Sequence, residues 1–293
     1  MELRVLRYFL VVAREENITK AANLLHITQP TLSRQLMQLE EELGVKLFTR
    51  SRHSIILTED GNLLRRRAQE IVDLAEKAER ELMHEEEAVA GEIAIGCGET
   101  KNMAPLSRMI AAFQKTYPNV QFYIYTANAD DVRERIDNGI LDFGLMLEPV
   151  DISKYNFVTM PIRERWAVLM RKDSPLAAKE YIEPKDLVGV PLMTTKRKSV
   201  INEIENWFGD CYKDLWIVST CNLSYNNRAI MVENNVGVGL VHEFDINNDS
   251  LCLRPLKPEL VNGSVLVWEK DQAFSVAATK FIDFIKDGGK DKW

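Results

Sequence analysis

AANLLHITQPTLSRQLMQLEEELGVKLFTR, residues 21–50, decides how the first part of this chain folds. Within it Leu32, Leu36, Leu39 and Leu43 step by four, three and four, so the spacing predicts a helix that turns its leucines inward. Thr28 is a good N-cap, and Pro30 lies at the start, where its missing N–H would be unpaired anyway. Gly44 follows the last periodic residue and stops the helix. Upstream, Leu3, Leu6, Phe9, Leu10 and Ala13 recur at helical spacing. A second helix, capped by Asn17 or Thr19, offers Ala21, Ala22, Leu24 and Leu25 as its packing face. Downstream, Val45 to Phe48 and Ser54 to Leu57 read as two short strands around a polar turn, Arg50 to His53.

The outer side of the leucine helix carries Gln29, Thr31, Ser33, Arg34, Gln35 and Gln38. These side chains suit major-groove readout: glutamine pairs with adenine, arginine with guanine, and Ser or Thr with bases or phosphates. The backbone N–H groups from Thr28 to Thr31 can receive a phosphate. A polar helix face is more often simply solvated, so the neighbours matter. Arg50, Arg52 and His53 form a turn that can reach a phosphate or a narrow minor groove. Glu40 to Glu42 lie at the far end of the helix, where they obstruct docking least.

The full chain has 293 residues, 46% hydrophobic and 28% charged, which fits about two domains with sizeable cores and excludes a disordered or low-complexity protein. Its net charge of −7 excludes a uniformly basic nucleic-acid coat. Residues 1–67 hold eleven Lys/Arg against eight Asp/Glu, a balance of +3 that leaves −10 on the rest. Cys97, Cys211, Cys221 and Cys252 form no CxxC pair, so neither a zinc site nor a disulfide framework is implied, and reduced, mostly buried thiols are expected. The N-terminal MELRVLRYFLVVAREEN is charged throughout and unlike a signal peptide, and no apolar stretch reaches membrane length. A cytoplasmic protein without a membrane partner is expected.

Residues 58–88 read as one long helix, with Leu64, Ala68, Ile71, Ala75, Ala78 and Leu82 at heptad-like steps. A helix of that length spans about 45 Å, more than a small domain needs. Packing against a second subunit is the favoured reading, and an amphipathic helix on its own domain the alternative. From residue 89 strands and helices alternate in two sets, which predicts two α/β lobes with largely parallel sheets and a cleft between them. The expected division is a winged helix-turn-helix (1–57), a linker helix (58–88) and a two-lobed body (89–293): α+β overall.

The head is identified as resembling the LysR-type transcriptional regulators. Ala21, Ala22, Gln29, Pro30, Leu32, Ser33, Leu39, Glu40, Leu43, Gly44, Leu47, Phe48 and Arg50 match that family's pattern, as does LTEDG at 57–61. One departure is His53, with Arg52 beside it, where the family has a second wing arginine. The resemblance implies that Gln29, Pro30, Thr31, Ser33 and Arg34 face the groove, that Arg50 contacts the backbone, and that Leu24, Leu32, Leu36 and Leu47 are core. The heptad helix would pair two subunits on a two-fold DNA site, as a homodimer or homotetramer, with RNA polymerase a further partner the reading admits.

GEIAIGCGET, LSRMIAAFQKTYPNV, IDNGILDFGLM, KDSPLA and ENNVGVGL resemble that family's regulatory domain, which is similar to two-lobed periplasmic binding proteins. Ligands of α/β lobes sit outside the carboxyl ends of the strands. That places Gly98, Glu99, Thr100 and Lys101, then Thr194, Thr195 and Lys196, then Asn222 to Ser224 as candidate effector contacts. Hydroxyls, N–H groups and two lysines suit a small anion, whereas Glu99 favours an amino-bearing ligand; the plain alternative is that these residues are helix caps. No GxGxxG, GxxxxGK[ST] or HExxH motif is present, and His26, His53, His84 and His242 lack metal-ligand spacing, so neither an enzyme nor a cofactor is expected. A binding or transport protein that uses only the body is the competing class, and the head argues against it.

Overall fold

The computed structural model describes residues 1–50, 55–82, 89–222, 225–270 and 272–287, without the side chains of Arg50 and residues 80–82. Arg52, His53, His84 and Ser224 lie outside the described residues. The chain forms two compact units, Met1–His84 and Glu85–Trp293.

In the first unit, helix α1 (Leu3–Glu15) buries Val5, Leu6, Phe9 and Val12, one stripe at helical spacing. Helix α2 (Ile18–Leu24) starts at Asn17, whose side chain accepts from the Lys20 N–H at 2.9 Å. Helix α3 (Gln29–Leu43) ends at Gly44, which takes the left-handed conformation with φ of 68°. Strands β1 (Phe48–Arg50) and β2 (Ile55–Leu57) pair antiparallel, and α4 (Glu59–Leu82) follows. Thr58 joins the hairpin to α4: its hydroxyl donates to the Lys46 carbonyl at 2.6 Å and accepts from the Gly61 N–H at 2.9 Å. A side chain at Gly61 would place Cβ 2.1 Å from the Leu47 carbonyl oxygen, so only glycine lets α4 lie this close to the hairpin.

Two expected core leucines are displaced. Leu24 is 50% exposed, because the inward face of short α2 is made by Ala21, Ala22 and Leu25, with Leu24 off to its side. Leu43 is 39% exposed, at the helix end where the chain turns away. The α4 seam also divides. Leu64 and Ala68 join Val72 in the core of the head itself, whereas Ile71 and Leu74 are exposed.

The second unit holds two lobes. The first contains β3 (Gly91–Cys97), α5 (Met103–Thr116), β4 (Val120–Thr126), α6 (Ala129–Asp137), β5 (Phe143–Leu147) and β6 (Tyr155–Thr159). The second contains β7 (Glu164–Arg171), β8 (Pro191–Thr194), α7 (Lys198–Phe208), β9 (Trp216–Thr220), α8 (Tyr225–Glu233), β10 (Val238–His242), β11 (Leu251–Pro255) and β12 (Val261–Asn262). The chain then returns to the first lobe through β13 (Ser264–Glu269) and α9 (Val276–Lys286). Sheet orders are β4-β3-β5-β13-β6 and β11-β7-β10-β8-β9, with β12 on β7.

The sheets are mixed, not largely parallel. β3 runs parallel to β4 and β5, but β13 lies antiparallel to both β5 and β6. β8 runs parallel to β9 and β10, while β7 is antiparallel to β10, β11 and β12. The reason is the double crossing, since strands that re-enter a lobe need not keep the direction of its βαβ units. β6 and β7 follow one another in sequence but belong to different lobes.

In the first lobe Phe113, Phe143, Trp268 and Phe281 pack on one side of the sheet, with Phe113 and Phe281 edge to face at 5.0 Å. In the second, Trp166, Leu192, Ile204, Trp207, Phe208 and Leu240 form the corresponding layer. Cys97 is buried and Cys211, Cys221 and Cys252 are half-buried, all as free thiols. Among the described residues no helix is long and apolar enough to cross a membrane.

Candidate functional site

The outward side of α3 is open. Thr28, Gln29, Pro30, Thr31, Arg34 and Gln38 are exposed and Ser33 is half-buried, while Leu32, Leu36 and Leu39 behind them are 0%, 5% and 2% exposed. Thr28 does not cap the helix with its side chain; its hydroxyl bonds that of Thr31 at 2.8 Å. Gln29 reaches along the helix to the Ser33 hydroxyl at 2.9 Å. Arg34 makes no ion pair among the described residues, so its guanidinium is available. Arg50 ends β1. Glu40, at the far end of the helix, is 9% exposed and ties α3 to the wing: it accepts from the N–H groups of Leu47 at 2.8 Å and Phe48 at 3.3 Å. Burial raises its pKa, but those bonds and Lys46 at 2.7 Å outweigh it and hold the carboxyl below the usual range.

Of the residues expected at a subunit seam, Ala75 is half-buried and Ala78 exposed, and the side chain of Leu82 is not described. The large apolar residues of α4 that face outward are Leu63, Ile71 and Leu74, at 50%, 41% and 44% exposure, of which Ile71 belongs to the expected seam.

Between the two lobes of the body lies a cavity of about 130 Å³. Its floor is built at the carboxyl ends of β3, β4, β8 and β9, as α/β packing requires. Gly98, Glu99, Thr100, Thr195 and Asn222 line it. Lys101 is exposed outside it, and Thr194 and Lys196 line a different cavity. Strand alternation accounts for Thr194, which shares the α7 side of β8 with Leu192.

Several lining residues lie beyond the expected loops: Asn128, Trp166, Arg197, Tyr225, Arg228 and His242. Asn128 had a legible signal as the cap of α6, accepting from the N–H groups of Asp130 and Asp131. Leu145, within β5, also reaches the cavity.

Polar bonds cross the cleft. The Glu99 carboxylate accepts from the Tyr225 N–H at the start of α8 at 2.7 Å, and the Tyr225 hydroxyl donates to the Glu99 carbonyl at 3.2 Å. The Asn128 amide donates to Asn222 at 2.7 Å. Arg197 donates to the Pro149 carbonyl at 2.6 Å and the Leu147 carbonyl at 3.3 Å, and pairs with Asp130 at 3.5 Å. Burial pulls the Arg197 guanidinium pKa down, opposed by Asp130. The Thr100 hydroxyl donates to Glu164, whose carboxyl burial pushes up in pKa.

Arg228, 9% exposed, gives its terminal nitrogens to the Leu240 carbonyl at 2.6 Å and the Thr194 carbonyl at 3.2 Å. Burial lowers the pKa of His242 to about 4, so the ring is neutral at neutral pH. Its Nε2 meets the Asn262 side-chain oxygen at 3.1 Å, which also accepts from the Trp166 indole, so Nε2 carries the proton. The cavity thus offers donors, a neutral ring and one carboxylate. Among the described residues no group of three or more His, Cys, Asp or Glu could hold a metal ion.

Two family models match this chain: "LysR substrate binding domain" over residues 86–290, and "Bacterial regulatory helix-turn-helix protein, lysR family" over residues 3–62. The Hca operon transcriptional activator HcaR of Escherichia coli is 28% identical, the alignment covering 98% of both chains. The HTH-type transcriptional regulator YybE of Bacillus subtilis is 31% identical over 67% of each. The crystal structure of CbnR, a LysR family transcriptional regulator, superposes with a TM-score of 0.76 at 20% identity, covering 99% of this chain and 100% of that one, a likeness of fold. This chain belongs to the LysR family: it is a DNA-binding transcriptional regulator with a substrate-binding domain, not an enzyme.

Proposed function

We propose that Thr28, Gln29, Pro30, Thr31, Ser33, Arg34 and Gln38 form the surface that reads base edges and adjoining phosphates, with Arg50, Arg52 and His53 on the flanking backbone. The observation that carries this reading is the two-sided chemistry of α3: an exposed row of amides, hydroxyls and one guanidinium, backed by fully buried leucines. Rigid backing fixes the row, and major-groove readout needs those donor and acceptor types. CbnR has also been solved in complex with its target DNA, at 20% identity to this chain. The functional division is 1–57 for DNA, 58–88 for pairing subunits and 89–293 for the effector, in a cytoplasmic protein that acts as a homodimer or homotetramer. Leu63, Ile71 and Leu74 give α4 an apolar face for that pairing.

The effector is a small molecule held between the lobes by Gly98, Glu99, Thr100, Thr195 and Asn222, with Arg197, Tyr225, Arg228 and His242 added to the expected set. Lys101, Thr194 and Lys196 do not line that cleft. Glu99 already occupies the first N–H of α8, so a carboxylate ligand competes with it, whereas an amine finds an acceptor. Ligand binding shifts the balance of the bonds that span the cleft, and with it the spacing of the paired heads.

A footprint of the purified protein on the DNA upstream of its own coding region tests the regulator reading. Salt-dependent protection of a near-palindrome is expected. No protection at low salt, or protection without sequence preference, would overturn it.

A further inference from the structure

Two formal charges in the wall of the cleft between the lobes lack an ionic partner. Arg228 is 9% exposed and makes no ion pair among the described residues. Its stem lies against Gly239 of β10, where a Cβ would stand 2.7 Å from the Arg228 Cδ, so glycine makes room for it. The terminal nitrogens meet only the neutral Leu240 and Thr194 carbonyls, and Nε has no hydrogen-bond partner. A buried charge without a counter-charge is costly, and a bound anion supplies one. Arg197, the other guanidinium of the cleft, already has Asp130 at 3.5 Å. Glu99 is the opposite case: it is exposed, and its carboxylate makes no ion pair among the described residues but is held at the Tyr225 N–H by a bond of 2.7 Å. Arg228 follows Tyr225 by three residues on α8, so the two lie on one side of that helix, a turn apart. The Tyr225 hydroxyl stands in both fields: burial, then Glu164 and Glu99, raise its pKa, and Arg228 lowers it. Glu164 does not line the cleft, which leaves Glu99 and Arg228 as its unmatched pair.

From this pair of charges we infer that the effector is a zwitterion, an α-amino acid with a short aliphatic side chain. The inference rests on the reading of the cleft as the effector site. The ligand's ammonium donates to the Glu99 carboxylate, and its carboxylate faces the Arg228 guanidinium. Leu145, Leu147, Val200 and Val241 give the side chain an apolar wall. The cavity holds about 130 Å³, and an engineered apolar cavity of roughly 150 Å³ admits benzene, so the space suits a compact aliphatic body and not a large ring system. A carboxylate alone would meet Arg228 but be repelled by Glu99, and an amine alone would meet Glu99 but be repelled by Arg228. Only a ligand with both charges matches both walls.

Titration calorimetry on the full-length protein tests it with L-alanine, L-valine and L-leucine. Two partial analogues of valine complete the set: 3-methylbutanoate, which lacks the amine, and 2-methylpropan-1-amine, which lacks the carboxylate. At least one amino acid should bind one site per chain, at least about tenfold tighter than either analogue. Glu99→Gln should weaken the amino acid and the amine at least about fivefold and not weaken the carboxylate. Arg228→Met should weaken the amino acid and the carboxylate at least about tenfold and leave the amine within about twofold. Should Arg228→Met fail to fold, the analogues on the parent chain test the same charge. Gly98→Phe fills the cleft at a position where a Cβ meets nothing nearer than the Ala127 carbonyl oxygen at 3.7 Å, and should abolish binding. An analogue that binds as tightly as the amino acids, and is lost in Gly98→Phe, overturns this inference and leaves the cleft assignment standing. Amino-acid binding that survives Gly98→Phe overturns the cleft assignment and this inference with it. Absence of saturable binding by all three amino acids overturns the inference alone.

Discussion

Glu40→Ala is the most informative single change in the head. The Glu40 side chain is the acceptor for the Leu47 N–H at 2.8 Å and the Phe48 N–H at 3.3 Å, and Leu47 is 1% exposed. Removing the carboxylate leaves a buried donor unpaired, and a hydrogen bond to a charged group is worth about 1.5–3 kcal/mol. The Lys46 contact adds little, because that ammonium is 76% exposed and screened. The head should therefore open about 2–3 kcal/mol more easily, which is roughly 30- to 150-fold faster amide exchange where exchange follows the opening equilibrium.

Hydrogen–deuterium exchange on the full-length chain reads this at the peptide that spans residues 45–49. Glu40→Gln keeps a neutral acceptor and should show about half the effect. The pH dependence has a definite sign. The folded carboxyl titrates below its ordinary value of 4.5, so its contribution is present above that value and is lost as the pH falls through the folded pKa. Exchange in Glu40→Ala within about twofold of the parent would refute the claim that this carboxylate ties α3 to the wing.

Three further expectations follow from the geometry. Gly61→Ala sets a methyl 2.1 Å from the Leu47 carbonyl, so it should lower the melting temperature of the head and weaken DNA binding, where an exposed Ala substitution elsewhere on α4 would not. Arg197→Ala removes the contacts to Leu147, Pro149 and Asp130 across the cleft, and small-angle scattering of the body should show a wider distribution of lobe separations. Because burial lowers the His242 pKa from 6.5 to about 4, the unfolded chain binds the extra proton in that interval, so stability falls as the pH drops from 6.5 towards 4. His242→Asn should flatten that part of the pH–stability curve.

What could be read from the residues was the part that local rules govern. The leucine spacing of α3, the proline in its first turn and the glycine at its end are all short-range signals, and the helix lies where they put it. The loops that follow β3, β8 and β9 were legible as strand ends, and several of their residues line the cleft. Long-range placement was not legible. Glu40 lies in an acidic run that looks like a solvated surface, and only the hairpin folding back over it makes it a buried acceptor. Arg228 is one polar residue in a helix whose amphipathic pattern is weak, and Trp166 and His242 sit in strands that read as core. Their common pocket exists only because the chain crosses between lobes before β7 and again before β13. The antiparallel setting of β13 has the same origin.

The central claim is that the exposed row on α3 reads base edges. Selecting binding sites from a randomised DNA pool, for the parent and for Arg34→Ala, tests it most directly. The variant should bind more weakly and lose its preference at one base position, repeated symmetrically in both half-sites, by about 1–3 kcal/mol. If Arg34→Ala selects the same sites with the same affinity, α3 is not reading DNA through this face.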